Sequence, residues 1–304
     1  MSIRPLPFAG PMAAILAIGA ALAAPAHAGP ISFNSALTLS SGEFVFRELF
    51  VLDESGDDPS GQDRDRHALS SLSVLGYGVD ENLSLFAVVP FHDRRLRITS
   101  GAERRTRDAT GLGDIRLFGK YTVVRRTWTA RAFRLSPFAG VELPTGTSDE
   151  HDRFGRLPAS VQLGSGAFDP FGGITATYQT LDYQIDAQLS YQANTEANNF
   201  EFGDVARADI SGQFRLLPRK ITGGVPSFLY GVLELNLIHG GNNRDNGAEV
   251  GNSGGLTLFV TPGLQYVTRR WIFEAAVQLP VIQDLNGTAL EKSHVVRAGF
   301  RVNF

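Results

Sequence analysis

Apolar and polar residues alternate along much of this chain, and this alternation is the feature that most restricts its fold. From Tyr183 to Tyr191 every second residue is apolar, and the residues between them are Gln, Asp or Ser. The last stretch repeats the pattern, with Phe300 and Phe304 on one side and Arg301 on the other. A period of two indicates a β-strand with two unlike faces. The chain is therefore predicted to be an all-β protein.

The same pattern predicts about twelve strands, with a range of ten to fourteen. They are centred near residues 42–52, 67–79, 82–91, 111–124, 130–143, 171–180, 182–191, 203–216, 227–238, 256–267, 270–280 and 293–304. The connections alternate between long and short, and the long ones collect charge, Gly and Asn. Outer-membrane barrels have this asymmetry, with short periplasmic turns and long external loops. Because lipid offers no hydrogen bonds, such a sheet must close on itself. The sequence therefore predicts a closed antiparallel transmembrane β-barrel with both termini in the periplasm.

The beginning of the chain predicts export. Arg4, the apolar run 12–24 and the triplet Ala26-His27-Ala28 are typical of a secretory signal peptide, which leaves residues 29–304 as a single barrel domain. After this segment no apolar run approaches the roughly 20 residues of a membrane helix, so a helical membrane protein is excluded. The chain is expected to be exported through the periplasm to the outer membrane of a Gram-negative bacterium.

Composition narrows the function further. The chain has no cysteine, which excludes disulfides, thiolate catalysis and Cys-ligated zinc. Its small negative charge argues against a nucleic-acid partner. The expected partners are outer-membrane lipid, the barrel-assembly machinery and a small-molecule solute. No cofactor, metal or catalytic activity is expected.

In this register the apolar face contacts lipid and the polar face lines the lumen. The predicted inward charges are seven of each sign, which predicts no strong ion selectivity: Arg116, Lys120, Arg134, Arg207, Arg215, Arg297 and Arg301 against Asp114, Glu142, Asp182, Asp186, Asp209, Glu234 and Glu274. They could form a transverse field across a polar pore, or a network of ion pairs that holds and partly plugs a narrow barrel. Both interpretations stay open, because twelve strands lie between packed small barrels and wide porins.

Aromatic residues near the predicted strand ends suggest the girdles of a membrane barrel. Tyr77, Tyr121, Tyr183, Tyr266 and Trp271 lie near short turns, and Phe91 lies near a long loop. The alternative is that aromatics are simply common in strands.

Two resemblances add to this. The ending VVRAGFRVNF, with Phe300, Val302 and Phe304, resembles the C-terminal signal by which outer-membrane proteins are recognised for barrel assembly. The segments GLGDIRLFGKY (111–121), GVELPTGTSDE (140–150), LGSGAFDPFGG (163–173) and YQANTEANNFEFGD (191–204) resemble the outer-membrane family linked to the meta pathway of phenol degradation, over residues 95–304. The second resemblance implies a transporter-like barrel that could admit aromatic or other hydrophobic compounds.

The predicted function is thus a channel for passive passage of small solutes. One alternative is a closed structural or adhesion barrel that acts through its external loops. A weaker alternative is an outer-membrane lipid hydrolase, although adjacent Ser293 and His294 would face opposite sides of a strand. The acidic cluster at 149–152 could hold a divalent cation or be an ordinary solvated loop. The long segment 144–170 could fold into the mouth, stay mobile on the surface or carry a thirteenth and fourteenth strand.

Overall fold

The computed structural model describes residues 28–101, 103–220 and 227–304, and these residues are organised in antiparallel β-strands. In chain order the strands are β1 (Phe44–Ser55), β2 (Asp65–Gly78), β3 (Leu83–Ser100), β4 (Glu103–Leu112), β5 (Ile115–Tyr121), β6 (Val124–Trp128), β7 (Arg131–Leu143), β8 (His151–Asp152), β9 (Gly155–Arg156), β10 (Asp169–Thr180), β11 (Tyr183–Gln192), β12 (Phe200–Glu201), β13 (Val205–Leu217), β14 (Phe228–Gly240), β15 (Asn243–Asp245), β16 (Ala248–Val250), β17 (Gly255–Val267), β18 (Trp271–Leu285) and β19 (Lys292–Asn303). Within the described ranges no helix is long and apolar enough to cross a membrane.

The long strands form a closed barrel. The last strand, β19, pairs with β1, and β7 pairs with β10, so every neighbour in the ring is hydrogen-bonded. β4, β5 and β6 follow one another with breaks at 113–114 and 122–123, and they occupy one position between β3 and β7. Counting these three as one, the described residues form the twelve-stranded barrel that the sequence predicted.

Several predicted strand ends were wrong on the external side. β3 continues to Ser100 and pairs with β4 beyond the predicted end at 91, so the predicted loop 92–110 is a projecting β-hairpin. Outside the membrane neither face of the hairpin contacts lipid, so the alternation of apolar and polar residues that marks a membrane strand is lost although pairing continues. The segment 144–170 contains only the two-residue strands β8 and β9 before β10, so it adds no membrane strand. Residues 1–27 of the predicted signal peptide, and 221–226 of the turn predicted after β13, lie outside the described residues.

The two faces of the barrel differ as expected for a membrane protein. Leu85, Leu189 and Leu264 are among the many large apolar side chains exposed on the outer face. Tyr77 and Trp271 stand on the same face beside short turns. These short turns connect strands at the periplasmic end, and the longer connections gather at the external end, where β12, β15 and β16 form a separate small sheet.

One region of the wall departs from this pattern. Glu48 of β1 pairs with Phe300 and Ser73, so its side chain lies on the lipid face, several residues from either strand end. Its carboxyl group accepts hydrogen bonds from Ser71 and Ser73, the latter at 2.6 Å. On the inner face of the same region Leu49 packs with Val51, Leu72 and Val295. The polarity of the wall is therefore inverted locally, at Glu48 and Leu49 of β1 and at residues 71–73 of β2, whereas the rest of β1 has apolar residues on both faces.

Candidate functional site in the barrel lumen

Residues 28–40, the lumen arch, cross the periplasmic half of the lumen. At one end Ala28 packs against Val267 and Ile272, beside the short turn between β17 and β18. At the other end the backbone N–H of Leu39 donates to Ser84 Oγ at 2.9 Å, beside the turn between β2 and β3. Both ends of the arch therefore lie at the periplasmic opening, and its middle lies deeper in the barrel.

Glu234 of β14 is the central anchor of the arch. Its carboxylate accepts the backbone N–H of Ile31 at 2.7 Å, the backbone N–H of Ser32 at 3.2 Å and the hydroxyl of Ser32. The side chain of Glu234 is fully buried. A buried carboxyl group requires such partners, because leaving its oxygens unpaired would be unfavourable.

Lys120 of β5 anchors the second half of the arch, which leads toward β1. Its Nζ donates to the carbonyl oxygen of Ser35 at 3.0 Å and to that of Leu37 at 2.5 Å. Between them, Ala36 donates its N–H to Thr177 and accepts from the hydroxyl of Ser136, each at 2.8 Å. Wall side chains thus satisfy backbone groups that a strand would pair with another strand. The arch consequently fills lumen space without being part of the sheet.

The external mouth is covered by residues 144–168, the external cap. Leu157, Val161 and Leu163 of the cap are buried against Leu96 and Ala109 of the β3–β4 hairpin. Of the three possibilities that the sequence left open, the structure therefore shows the one in which this segment folds into the mouth.

Polar contacts hold the cap to lumen-facing residues. Asp114 accepts the backbone N–H of Gly146 at 2.8 Å and that of Ser165 at 2.5 Å. Arg66 donates to the carbonyl oxygen of Ser160 at 3.1 Å, and Arg94 donates to that of Gln162. The predicted lumen residue Asp114 therefore supports the cap at the break between β4 and β5.

Between arch and cap, charged side chains of the inner face pair with neighbours on the same or the adjacent strand. Arg116 donates to Glu142 at 2.6 Å, and Arg207 donates to Asp209 at 3.1 Å. Asp186 is surrounded instead by neutral donors, with Gln184 Nε2 at 2.8 Å. The other predicted lumen residues, placed on the inner face by the strand register, are Arg134, Arg215, Glu274, Arg297 and Arg301.

The prediction for Asp182 was wrong. It lies in the turn between β10 and β11, with 73% of its side chain exposed, and pairs with Arg215 there. Turn residues have no fixed lumen face, so the two-residue period gave no guide at this position.

Several lumen charges were missed by sequence reasoning. Arg47 pairs with Glu274 at 2.6 Å, and Lys292 pairs with Asp53 at 2.6 Å. Among the described residues, the additional inward cations include Arg47, Arg66, Arg94, Arg125 and Lys292, and the additional inward acids include Glu43, Asp53 and Asp169. The inner face thus carries more cations than acids, in place of the predicted equality. Arg66 and Arg94 were missed because the predicted strands stopped short of them, and Arg47 because β1 has apolar residues on both faces.

A cluster of four phenylalanines, the aromatic wall, lies on the inner face of β3, β5, β7 and β10. Phe86 and Phe118 stack with ring centroids 4.9 Å apart, and Phe118 meets Phe138 and Phe171 edge-on at 6.2 and 6.0 Å. Phe138 is buried, and the other three rings are partly exposed. Lys120 Nζ lies 5.1 Å from the Phe86 ring centroid. Strand parity could have identified this cluster, because Phe118 shares its face with Lys120.

A serine–histidine pair lies on the inner face of the barrel, and the acidic cluster of the cap contacts an arginine. Ser70 Oγ and His92 Nδ1 lie 2.7 Å apart, but the pair faces the lumen, where the charges acting on His92 are Arg66 and Arg94. In the acidic cluster, Asp152 pairs with Arg107 at 2.5 Å. Across residues 28–101, 103–220 and 227–304, no three His, Asp or Glu side chains are grouped so that they could hold a metal ion.

Comparisons with known proteins agree with this architecture. The family described as "Putative MetA-pathway of phenol degradation" matches residues 68–280. The crystal structure of an outer membrane channel from Pseudomonas putida F1 is similar with a TM-score of 0.67 and 12% identity, covering 91% of this chain and 100% of that one. The β domain of the Bordetella autotransporter BrkA has a TM-score of 0.45 and 11% identity, covering 87% of this chain and 100% of that one. None of the curated proteins matches this chain.

Proposed function

This chain belongs to the family whose description is "Putative MetA-pathway of phenol degradation", and on that premise we propose that it is an outer-membrane channel for passive passage of small solutes, including aromatic or hydrophobic ones. The proposal includes export through the periplasm and the absence of catalytic activity. It also includes membrane insertion by the barrel-assembly machinery, which would recognise the last strand with its terminal Phe304.

The observation that carries the proposal is how the lumen is filled. A closed structural barrel is filled by side chains of its own wall. Here two segments outside the sheet, the lumen arch and the external cap, cross the lumen at two levels. Side-chain hydrogen bonds hold both to the wall, together with apolar packing of the cap. Such contacts contribute roughly 0.5 to 3 kcal/mol each, far less than opening a closed sheet would require. The channel is therefore proposed to rest closed and to open by displacement of these segments.

The test is single-channel conductance in a planar bilayer, with the refolded predicted mature chain, residues 29–304. The wild type is expected to show rare openings, and a variant lacking residues 29–39 is expected to show frequent, larger steps. The excess of inward cations predicts a reversal potential displaced toward the anion equilibrium potential under a salt gradient.

Heat-modifiable gel mobility shows whether each variant folds, and Glu234→Ala offers a second route to a loosened arch if the deletion fails to fold. Arg297→Ala and Arg301→Ala, both on the inner face of β19, are expected to lower anion preference. A folded but silent deletion variant would refute the channel and favour the structural or adhesion barrel.

A further inference from the structure

The aromatic wall is unusual for its position. Most inner-face residues near it are polar, such as Ser136, Thr175 and Thr177, which are fully or almost fully buried. Exposing phenylalanine rings to a water-filled lumen is unfavourable, and a contiguous apolar surface in a polar setting commonly marks a binding site.

Packing around strand glycines explains part of this cluster. A Cβ added at Gly173 would lie 2.8 Å from Phe138 Cζ, and one at Gly140 would lie 2.8 Å from Phe171 Cζ. The two glycines therefore make room for two of the rings. Gly76 makes room for Phe86 in the same way, since a Cβ there would lie 2.7 Å from Phe86 Cε1. Such packing does not account for the partly exposed ring face of Phe118, nor for the ammonium group beside the cluster.

Two cations lie over the aromatic wall, and they differ in their partners. Arg116 lies 4.8 Å from the Phe171 ring centroid, but its guanidinium group is engaged by Glu142 and Gln192. Lys120 is held by the two neutral carbonyl oxygens of the lumen arch. A carboxylate or phenolate is a stronger acceptor for an ammonium group than a carbonyl oxygen. Lys120 is therefore the cation that an incoming anion can recruit by exchange.

We infer that the aromatic wall and Lys120 form a binding site for a small aromatic anion, whose charged group replaces the carbonyl oxygens of Ser35 and Leu37. The ring of the anion stacks on Phe86 and Phe118, and its charge pairs with Lys120. Because the same atoms of Lys120 hold the arch, binding and the resting position of the arch exclude each other. This inference rests on the proposed channel function and deepens it, since the solute itself would promote opening.

The first test is binding of benzoate to the refolded chain in detergent, measured by titration calorimetry. Two matched compounds separate the contributions: cyclohexanecarboxylate keeps the charge without the aromatic ring, and benzyl alcohol keeps the ring without the charge. Benzoate is expected to bind most tightly. Equal binding of cyclohexanecarboxylate would overturn the role of the rings, and equal binding of benzyl alcohol would overturn the role of Lys120.

The second test follows the arch directly. Because the chain has no cysteine, Ser35→Cys provides a unique label, and its reaction rate with a maleimide reports how often the arch leaves the wall. Benzoate is expected to raise this rate several-fold. A rate that is independent of benzoate, in a protein that binds it, would overturn the exchange at Lys120.

Two variants assign the effect to residues. Lys120→Met is expected to weaken benzoate binding about tenfold and to raise the basal labelling rate. It should leave the binding of benzyl alcohol unchanged, whereas general destabilisation of the site would weaken the binding of both compounds. Phe118→Leu is expected to weaken benzoate and leave cyclohexanecarboxylate unchanged. Lys292→Met is the matched control, because Lys292 is also a paired lumen lysine but lies near the external end. Equal loss in Lys292→Met and Lys120→Met would overturn the assignment.

The two proposals fail separately. A conducting protein that does not bind benzoate would remove the binding site and leave the channel. A protein that binds benzoate at Lys120 but stays silent after deletion of the arch would remove the channel and leave the site.

Discussion

Glu234 offers the sharpest test of how the lumen is kept closed. Replacing it with Ala removes three acceptor contacts to Ile31 and Ser32 of the lumen arch. A hydrogen bond to a charged group contributes about 1.5 to 3 kcal/mol, and neighbouring bonds are not additive. Taking about 3 kcal/mol for the set, the displaced population should rise on the order of a hundredfold, since 1.4 kcal/mol is a factor of ten.

The assay is maleimide labelling of Ser35→Cys, introduced into the wild type and into Glu234→Ala, at reagent concentrations where the arch returns to the wall faster than the cysteine is labelled. Under that condition the rate is proportional to the displaced population. Glu234→Gln, which retains one acceptor oxygen, should give an intermediate rate. Ser211→Ala is the matched control, because Ser211 contacts the side chains of Glu234 at 3.3 Å and Gln213 at 2.5 Å, and neither of these bonds involves the arch. Equal rates in Glu234→Ala and wild type would refute the view that this carboxyl group holds the arch.

Three further predictions concern other parts of the molecule. Asp114→Ala removes two hydrogen bonds to backbone N–H groups of the external cap, and should raise the maleimide labelling rate of Val161→Cys at least tenfold. Asp149→Ala, at an exposed cap residue, should leave that rate unchanged. Equal rates in the two variants would show that the cap is held elsewhere. Glu48→Leu should raise the unfolding free energy in lipid vesicles by about 1 kcal/mol, because a carboxyl group on the lipid face is unfavourable. Ser71→Ala, which removes one donor to Glu48, should have a smaller effect. A large loss of stability in Glu48→Leu would contradict this and mean that Glu48 contacts a partner. In the external loop, burial acts to raise the pKa of Asp58, but hydrogen bonds from Arg64 and Ser60 outweigh it and hold the pKa well below its usual value of 3.8. The stabilisation that this lowered pKa gives the loop is fully present above pH 3.8 and declines as the pH falls from there toward the lower pKa of the folded loop. A dye on Gln62→Cys should therefore lose anisotropy below about pH 3.8 in the wild type and show little pH dependence with Asp58→Asn. A wild-type signal independent of pH would contradict this.

The strands were predictable where one face meets lipid and the other meets the lumen. On β19 the alternation placed Arg297 and Arg301 on the inner face, where the register with β18 puts them. On β1 the rule failed, because Glu48 faces lipid and Leu49 packs inside. No single-sequence pattern separates a strand that is apolar on both faces from one whose polarity is inverted.

The filling of the lumen lies further from what local sequence can reveal. Ala36 is bonded to Thr177, and Ile31 to Glu234, so the arch is fixed by residues 141 and 203 positions away. The arch does alternate, with Ile31, Phe33, Leu37 and Leu39 between polar residues, but scattered wall side chains bond it instead of a neighbouring strand, so this alternation alone does not reveal that it lies in the lumen. The aromatic wall, in contrast, was accessible in part, since the motif GLGDIRLFGKY already contains Phe118 and Lys120 on one face.

The two ends of the lumen arch lie at the same opening of the barrel, and this bears on the speed of opening as distinct from its equilibrium. A segment that enters and leaves by one end can be withdrawn without threading and without separating any pair of strands. Its contacts at Gln265, Glu234, Gln188, Thr177 and Lys120 are arranged in sequence along it. They can therefore break one after another from either end, with water replacing each partner as it is released. The barrier to opening is then set by the strongest single step, near Glu234 or Lys120, rather than by the sum of all contacts.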